Sequence, residues 1–176
     1  AILLREIRLP IVLDADGLNA ITEKLSLLNE TKKDIVITPH PGELARLMNL
    51  KSAAEVQNDR INIANSFINS IRHDNKEKDV VLVLKGNKTI VINKDNLYTN
   101  STGNPGMATG GTGDVLSGII GSLIGQGFSA YDAAQLGVYI HGVAGDIAAK
   151  QKGETSMIAT DLIDFLPEAF AVCQEG

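Results

Sequence analysis

Residues 80–99 read VVLVLKGNKTIVINKDNLYT. Val80–Leu84 is an uninterrupted, largely β-branched apolar run, which is typical of a central parallel strand that is buried on both faces. Lys85–Asn87 predict a turn, and Thr89–Ile92 predict a second strand. The polar stretch NKDN then predicts another turn before a third strand at Leu97–Thr99. The segment therefore predicts a buried strand that continues into a hairpin.

Strands and helices alternate on both sides of this segment. Two further buried strands are predicted at Ile11–Leu13 and Ile35–Thr38. Apolar spacing predicts helices over Leu18–Leu28, Glu43–Met48, Ala53–Arg72, Asp114–Gly125, Ala130–Lys150 and Ala159–Val172. This alternation predicts an α/β layer fold, in which ligands bind where the strands end.

Composition narrows the class of protein. The 176 residues fit one domain or most of one, and the net charge is −5 with only 4% aromatic residues. These values argue against a nucleic-acid or anionic-membrane partner. The single Cys173 excludes an internal disulfide and a Cys-rich zinc site. The sequence has no long apolar run and no signal-peptide pattern, so we expect a cytoplasmic protein without a membrane partner.

Nine of the 17 glycines lie between Gly103 and Gly127. Within this cluster, NPGMATGGTGDVLSG (residues 104–118) combines a glycine-rich loop with the start of a helix. We expect positive φ angles and exposed N–H groups at Gly110, Gly111 and Gly113, which together form an anion site at the helix N-terminus. Thr112 stands where a Walker A loop needs Lys, and Leu116 replaces the third glycine of a dinucleotide-binding loop.

Asp114 follows this loop directly. A carboxylate beside a bound phosphate is repelled by it, so we interpret Asp114 as a general base that takes a proton from a hydroxyl attacking the phosphate. The alternative is an N-cap of the next helix, where Asp is common.

Three other segments carry candidate residues. In TPHPGE, His40 could donate a hydrogen bond to a substrate, and Glu43 could bind Mg²⁺. The alternative is that His40 is simply solvated and that Glu43 stabilises the first turn of the next helix. The turn that begins at Lys85 suits the phosphates or the base edge of a nucleotide. The alternative is an ordinary solvated turn. In DADGLN, Asp14 and Asp16 suit a cation, while Asp16 or Asn19 caps a helix or faces the substrate.

Four segments in this order, LDADGLN, TPHPGE, LKGNKT and NPGMATGGTGD, resemble the ADP- or ATP-dependent NAD(P)H-hydrate dehydratases. The resemblance implies a ribokinase-like three-layer α/β/α fold with a mainly parallel sheet. It also implies dehydration of (6S)-hydrated NADH or NADPH, with ADP or ATP as co-substrate and Mg²⁺ as cofactor. The hydroxyl of the hydrated ring attacks the terminal phosphate, and the phosphorylated intermediate then loses phosphate.

The resemblance assigns roles to particular residues. Asp114 matches the base and contacts the hydrate, which His40 also contacts, whereas Glu43 is a looser match to a metal-linked residue. The nucleotide-binding residues expected from the matching segments are Lys85, Gly86, Asn87, Lys88, Thr89, Asn104, Gly110, Gly111, Thr112 and Gly113.

The family's first strands and an early Gly-rich segment have no counterpart in this sequence. Residues 1–176 are therefore expected to be the C-terminal larger part of one domain, and the resemblance implies a homo-oligomer, with a tetramer expected. Two alternatives remain open at this point: a ribokinase-like kinase for a small alcohol of the hydroxymethylpyrimidine or thiazole type, and a non-catalytic nucleotide-binding subunit.

Overall fold

The computed structural model describes residues 2–71 and 78–174. Its centre is a five-stranded sheet in the order β1-β2-β3-β4-β5. The strands are β1 (Ile11–Leu13), β2 (Ile35–Ile37), β3 (Val80–Leu84), β4 (Ile90–Ile92) and β5 (Leu97–Thr99). β1, β2 and β3 run parallel, whereas β4 and β5 return antiparallel. The predicted central strand and its hairpin are confirmed.

Ten α-helices surround the sheet in the described part of the chain. They are α1 (Ile2–Glu6), α2 (Asp16–Asn19), α3 (Leu27–Glu30), α4 (Pro41–Leu47), α5 (Ala53–Asn58), α6 (Arg60–Ser70), α7 (Thr112–Gly125), α8 (Ala130–Lys152), α9 (Ala159–Asp164) and α10 (Leu166–Gln174). None of the described helices is long and apolar enough to cross a membrane.

Alternate residues of β3 separate the core into two layers. Leu82 and Leu84 pack with α4, α5 and α6, whereas Val81 and Val83 pack with α7 and α8 on the other face. All five residues of β3 are buried, because both faces of this central strand are covered. The result is the expected three-layer α/β/α arrangement.

Three predicted helices are wrong in their extent. The helix expected over 18–28 is two short helices, α2 and α3, joined by consecutive turns that include the β-branched Ile21 and Thr22. The helix expected over 53–72 divides at Asp59, whose φ of −146° is not helical, and Arg72 lies outside the described residues. The helix expected over 159–172 divides at Phe165, because Pro167 lacks the N–H that a continuous helix requires.

Glycines along two helices differ in what surrounds them. In α8, a Cβ on Gly137 would lie 2.8 Å from Ile120, and a Cβ on Gly145 would overlap Met107. These two glycines therefore allow a close approach of their neighbours. In α7, by contrast, an added Cβ on Gly118 or Gly121 would have no heavy atom of the described residues within 4 Å, so these glycines mediate no close packing there.

Candidate active site

The carboxyl ends of β1 and β3 carry an ion pair. Asp14 follows β1 and Lys85 follows β3, and the Lys85 Nζ atom lies 2.7 Å from Asp14 Oδ1. The two side chains are only 20% and 12% exposed. The other carboxylate oxygen of Asp14 accepts a hydrogen bond from Ser117 on α7, at 3.2 Å. Sheet and helix are thereby joined at the point where parallel strands end.

The N-terminus of α7 lies against this pair. Gly111 is the N-cap with φ +89°, in the left-handed region that favours glycine. A Cβ added to Gly113 would lie 3.3 Å from Lys85 Nζ and 3.5 Å from Asp14 Oδ2. The prediction of positive φ is confirmed at Gly111 but wrong at Gly110 and Gly113. Gly113 instead leaves room for the side chains that approach the helix.

His141 supports the same helix terminus from α8. Its Nε2 atom lies 2.9 Å from the carbonyl oxygen of Thr112, so the neutral ring donates from Nε2. The pKa of His141 is lowered to about 4, chiefly by burial and to a smaller extent by the Lys85 charge, while the hydrogen bond to Thr112 opposes the shift. This hydrogen bond satisfies Nε2, and His141 also lines the cleft described next.

A cleft of about 740 Å³ opens beside these groups. Its walls include, from the predicted site, His40, Lys85, Gly86, Asn87, Lys88, Thr89, Asn104, Thr112 and Gly113. Leu116, Val138 and Met107 add apolar surface. An apolar cleft with a few convergent polar groups is typical of a small-molecule site.

His40 and Glu43 form a capping box at the start of α4. The Nδ1 atom of His40 accepts from the backbone N–H groups of Gly42 and Glu43, at 3.0 and 3.3 Å. In return, the Glu43 carboxylate accepts from the His40 N–H at 2.7 Å. Since Nδ1 is the acceptor, the neutral ring carries its proton on Nε2. The His40 side chain is 52% exposed and can therefore donate this proton to a ligand in the cleft.

The loop that carries His40 is tied to the loop that carries Lys85. The backbone N–H of Lys85 donates to the carbonyl oxygen of Pro39 at 2.9 Å. In addition, Lys85 Nζ lies 4.0 Å from the buried carboxylate of Glu43. The TPHPGE and LKGNKT segments, which are 45 residues apart when counted from His40 to Lys85, are thus held side by side.

Two of the predicted nucleotide-binding residues, Asn104 and Thr112, form hydrogen bonds that hold the glycine-rich loop before α7 in place. Asn104 donates to the carbonyl oxygen of Gly145 and to Asp146, at 2.9 and 3.0 Å, and its Oδ1 accepts from Gly106. The Thr112 hydroxyl donates to the carbonyl oxygens of Met107 or Thr109, each at 2.9 Å. These side chains shape the cleft wall, and their backbone groups remain the ones that can face a ligand.

Several predicted residues lie away from the cleft walls. Asp16 and Asn19 contact each other at 3.4 Å, and Asn19 accepts from Arg46 at 3.1 Å. Gly110 and Gly111 precede α7 without lining the cleft. Asp114 is exposed in the first turn of α7, directly after Gly113, and has no side-chain hydrogen bond or ion pair within the described residues. The N-cap is Gly111, so the alternative that Asp114 caps the helix is wrong.

The sequence reasoning assigned no single role to Asp14, and it missed Ser117 and Arg60. A signal for Asp14 was available: it follows a buried parallel strand directly, and such strands end at a shared edge. Ser117 lies in an ordinary helical stretch, and Arg60 lies in a helix 25 residues before the turn that it contacts. Neither position carries a local motif.

Comparisons with known proteins identify the family of the chain. The family model of the NAD(P)H-hydrate dehydratases matches residues 3–168. The chain belongs to this family. It is 48% identical over 166 residues to the bifunctional NAD(P)H-hydrate repair enzyme Nnr of Moorella thermoacetica, covering 94% of this chain and 30% of that protein. It is 41% identical over 147 residues to the ADP-dependent (S)-NAD(P)H-hydrate dehydratase of Neisseria meningitidis, covering 82% and 47%.

Solved structures confirm the ribokinase-like fold of this dehydratase-family chain. The ADP/ATP-dependent NAD(P)H-hydrate dehydratase of Bacillus subtilis, co-crystallised with ATP/Mg²⁺, superimposes with a TM-score of 0.77 at 28% identity, covering 93% of this chain and 55% of that one. A ribokinase-like protein of Enterococcus faecalis gives 0.62 at 26% identity, covering 89% and 50%. The chain thus spans about a third to a half of the curated relatives named above.

Proposed function

We propose that the protein dehydrates (6S)-hydrated NADH or NADPH back to the reduced cofactor, with ADP or ATP as phosphate donor. The observation that carries this proposal is the shared cleft: His40, the Lys85–Thr89 turn and the start of α7 line one cavity in a chain of the NAD(P)H-hydrate dehydratase family. A donor for the hydrate and groups for a nucleotide are therefore within reach of one another.

The nucleotide phosphates belong at the start of α7. The first N–H groups of a 14-residue helix have no partner within the helix, so they attract anions. Gly113 exposes this backbone, and the ammonium group of Lys85, which is paired with Asp14, lies beside it. The exposed Lys88 and the rest of the Lys85–Thr89 turn extend the same wall and suit the nucleotide's phosphates or base edge.

We propose that the hydrate binds between His40, which lines the cleft, and Asp114, which lies just outside the cleft walls. Asp114 directly follows Gly113 and its carboxylate has no competing partner in the described residues, so it is available to accept a proton. The ring hydroxyl loses its proton to Asp114 and attacks the terminal phosphorus of the nucleotide, which releases AMP from ADP or ADP from ATP. His40 donates from Nε2 to the bound hydrate and orients it.

Elimination completes the proposed reaction. Phosphorylation converts hydroxide, a poor leaving group, into phosphate. The lone pair of the ring nitrogen assists cleavage of the carbon–oxygen bond, and loss of a proton from the neighbouring ring carbon restores the double bond. The departing phosphate takes up the proton of the ring carbon, and Asp114 returns its proton to solvent. The reaction then balances as hydrate plus ADP giving reduced cofactor, AMP, phosphate and a proton, or as the corresponding ATP reaction.

Magnesium, when bound, would neutralise charge on the phosphates. Within residues 2–71 and 78–174, no group of three His, Cys, Asp or Glu side chains is arranged to hold a metal ion. A nucleotide-borne Mg²⁺ fits this chain, because Mg²⁺ takes most of its ligands from phosphate and water. Glu43 is the carboxylate that we propose for it, with one oxygen already accepting from the His40 backbone.

Self-association is part of the proposal and rests on surface composition. Ile163, Phe170 and Val172 of α9 and α10 are exposed by 50%, 37% and 45%, and such residues are common at subunit contacts. A homo-oligomer, with a tetramer expected, stays a prediction. Light scattering at several protein concentrations tests it.

The test of function supplies purified hydrated NADH and ADP and records the return of reduced-nicotinamide absorbance together with AMP release. Recovery in proportion to enzyme supports the proposal. Phosphorylation of a small alcohol without cofactor recovery would instead identify a kinase. A rise in melting temperature with ADP, with turnover at background, would identify a non-catalytic nucleotide-binding protein.

A further inference from the structure

Arg60 lies behind the turn that forms one wall of the cleft. It is the first residue of α6, and its guanidinium reaches the end of β3. Nη2 donates to the carbonyl oxygen of Leu84 at 2.9 Å, and both Nη atoms lie 3.4 Å from the carbonyl oxygen of Lys85. Leu84 immediately precedes the Lys85–Thr89 turn, and Lys85 is its first residue. The planar, pre-organised fork of an arginine suits two neighbouring carbonyls better than the compact ammonium group of a lysine.

The backbone of the turn is shaped to admit this guanidinium. Gly86 has φ +132°, and a Cβ there would lie 3.1 Å from Arg60 Nη1. A side chain at position 86 would therefore meet both backbone strain and the guanidinium. Gly86 lines the cleft whereas Arg60 does not, so the Gly86 backbone would separate the guanidinium from a ligand bound in the cleft.

The positive charge of Arg60 is not neutralised locally. Nη1 also donates to the neutral Gln57 amide at 3.0 Å, and Nε is buried without a hydrogen-bond partner among the residues that the structure describes. No carboxylate forms an ion pair with the guanidinium anywhere in the described parts of the chain. Burial lowers the pKa of Arg60, but an arginine stays protonated at neutral pH. A half-buried cation without a counter-ion keeps most of its field, because neither salt nor a partner screens it fully.

We propose that Arg60 is a positioning residue with an electrostatic role: it holds the Lys85–Thr89 turn and supplies an uncompensated positive charge that attracts the nucleotide's phosphates across the Gly86 backbone. This inference rests on the proposed function for the presence of a nucleotide in the cleft. It adds to the proposed site a residue, Arg60, that does not touch the ligand, and it explains why that residue carries a charge.

Gln57 allows a test that keeps the geometry intact. In Gln57→Glu, a carboxylate replaces the amide that already accepts from Arg60, so the hydrogen bond is retained and the charge is neutralised. Calorimetric titration with ADP, inorganic pyrophosphate and adenosine separates phosphate attraction from binding of the nucleoside. We expect Gln57→Glu to weaken ADP and pyrophosphate by about fivefold at low salt and to leave adenosine unchanged. The same charge added far away, in Gln126→Glu at the end of α7, should change none of the three affinities.

Arg60→Gln provides the second variant. It should weaken ADP by about tenfold, with a smaller loss for adenosine, since both charge and fork are removed. Arg60→Lys should retain the preference for ADP over adenosine. The proposal is overturned if Gln57→Glu binds ADP and pyrophosphate like the wild type, or if ADP and adenosine weaken equally. If the wild-type protein binds neither ADP nor pyrophosphate, the proposed function itself fails.

Discussion

The ammonium group of Lys85 lies 2.7 Å from Oδ1 of Asp14, which joins the ends of two strands that are not neighbours in the sheet. β2 lies between them, so the pair closes over the carboxyl end of β2. Because the pair is largely buried, each charge depends on the other: removal of one leaves the other desolvated without compensation.

A double-mutant cycle measures this dependence. Asp14→Asn and Lys85→Met should each destabilise the fold by about 2 kcal/mol, and the double variant should lose less than the sum, with a coupling of about 1–3 kcal/mol. Urea denaturation of the four proteins gives the values. The exposed pair Arg5 and Glu30 serves as the control and should show no resolvable coupling. Additive losses for Asp14 and Lys85 would contradict a functional dependence between them.

The variant Asp114→Asn tests whether Asp114 is a general base or has only a structural role. The amide is nearly isosteric but cannot take a proton, so turnover should fall by about 10²–10⁴-fold while ADP binding is kept. The free energy of unfolding should change by less than about 0.5 kcal/mol, because the exposed side chain has no partner in the described structure. Asp132→Asn, in the first turn of α8, is the control and should keep its rate. A wild-type rate in Asp114→Asn would remove Asp114 from the mechanism.

Two glycines of α7 offer a matched comparison. In Gly113→Ala the new methyl group would crowd Lys85 Nζ at 3.3 Å, so we expect ADP affinity to fall by about tenfold. Gly118→Ala places a methyl in open space in the same helix, and it should stabilise the protein by about 0.5–1 kcal/mol without affecting ADP. Isothermal titration and thermal unfolding together test both variants. Equal ADP affinity in the two would contradict a phosphate site at Gly113.

His141 predicts a pH dependence of stability. Its folded-state pKa of about 4 lies below the ordinary value of 6.5, so between these values the unfolded chain takes up a proton that the folded protein does not. The contribution of the neutral ring is complete above pH 6.5 and decreases as the pH falls toward 4, by up to about 3 kcal/mol. Denaturation curves of the wild type and His141→Gln at several pH values should diverge across this window. Parallel curves would show that the His141 pKa is not lowered.

The strands could be predicted from sequence because their signals are local. Val80–Leu84 is apolar at every position, and its shortness and β-branched residues favour a strand that is covered on both faces. Helix continuity was harder to predict. A single non-helical residue at Asp59 divides α5 from α6, and the apolar stripe continues across the break, so periodicity alone does not reveal it.

The candidate site was predictable only in part, for a similar reason. The glycine loop and the Lys85 turn carry local motifs, and the fold brings both to one cleft. The contacts of Asp14 and Arg60 with the Lys85 turn have no such local signal. Asp14 pairs with a residue 71 positions away in sequence, and Arg60 contacts one 25 positions away. Such long-range pairings depend on strand order, which an isolated sequence determines poorly.

The hydrogen bond from the Lys85 backbone to Pro39 has a kinetic consequence. It fixes the separation of the two loops that are proposed to hold the two reactants, so neither reactant has to draw its loop into place. Binding order should then be random, and complexes with one reactant should superimpose on the ternary complex in this region. The fraction of protein in which the hydroxyl meets the phosphate should then depend only on how fully each of the two sites is occupied, and therefore on the concentrations of the two reactants.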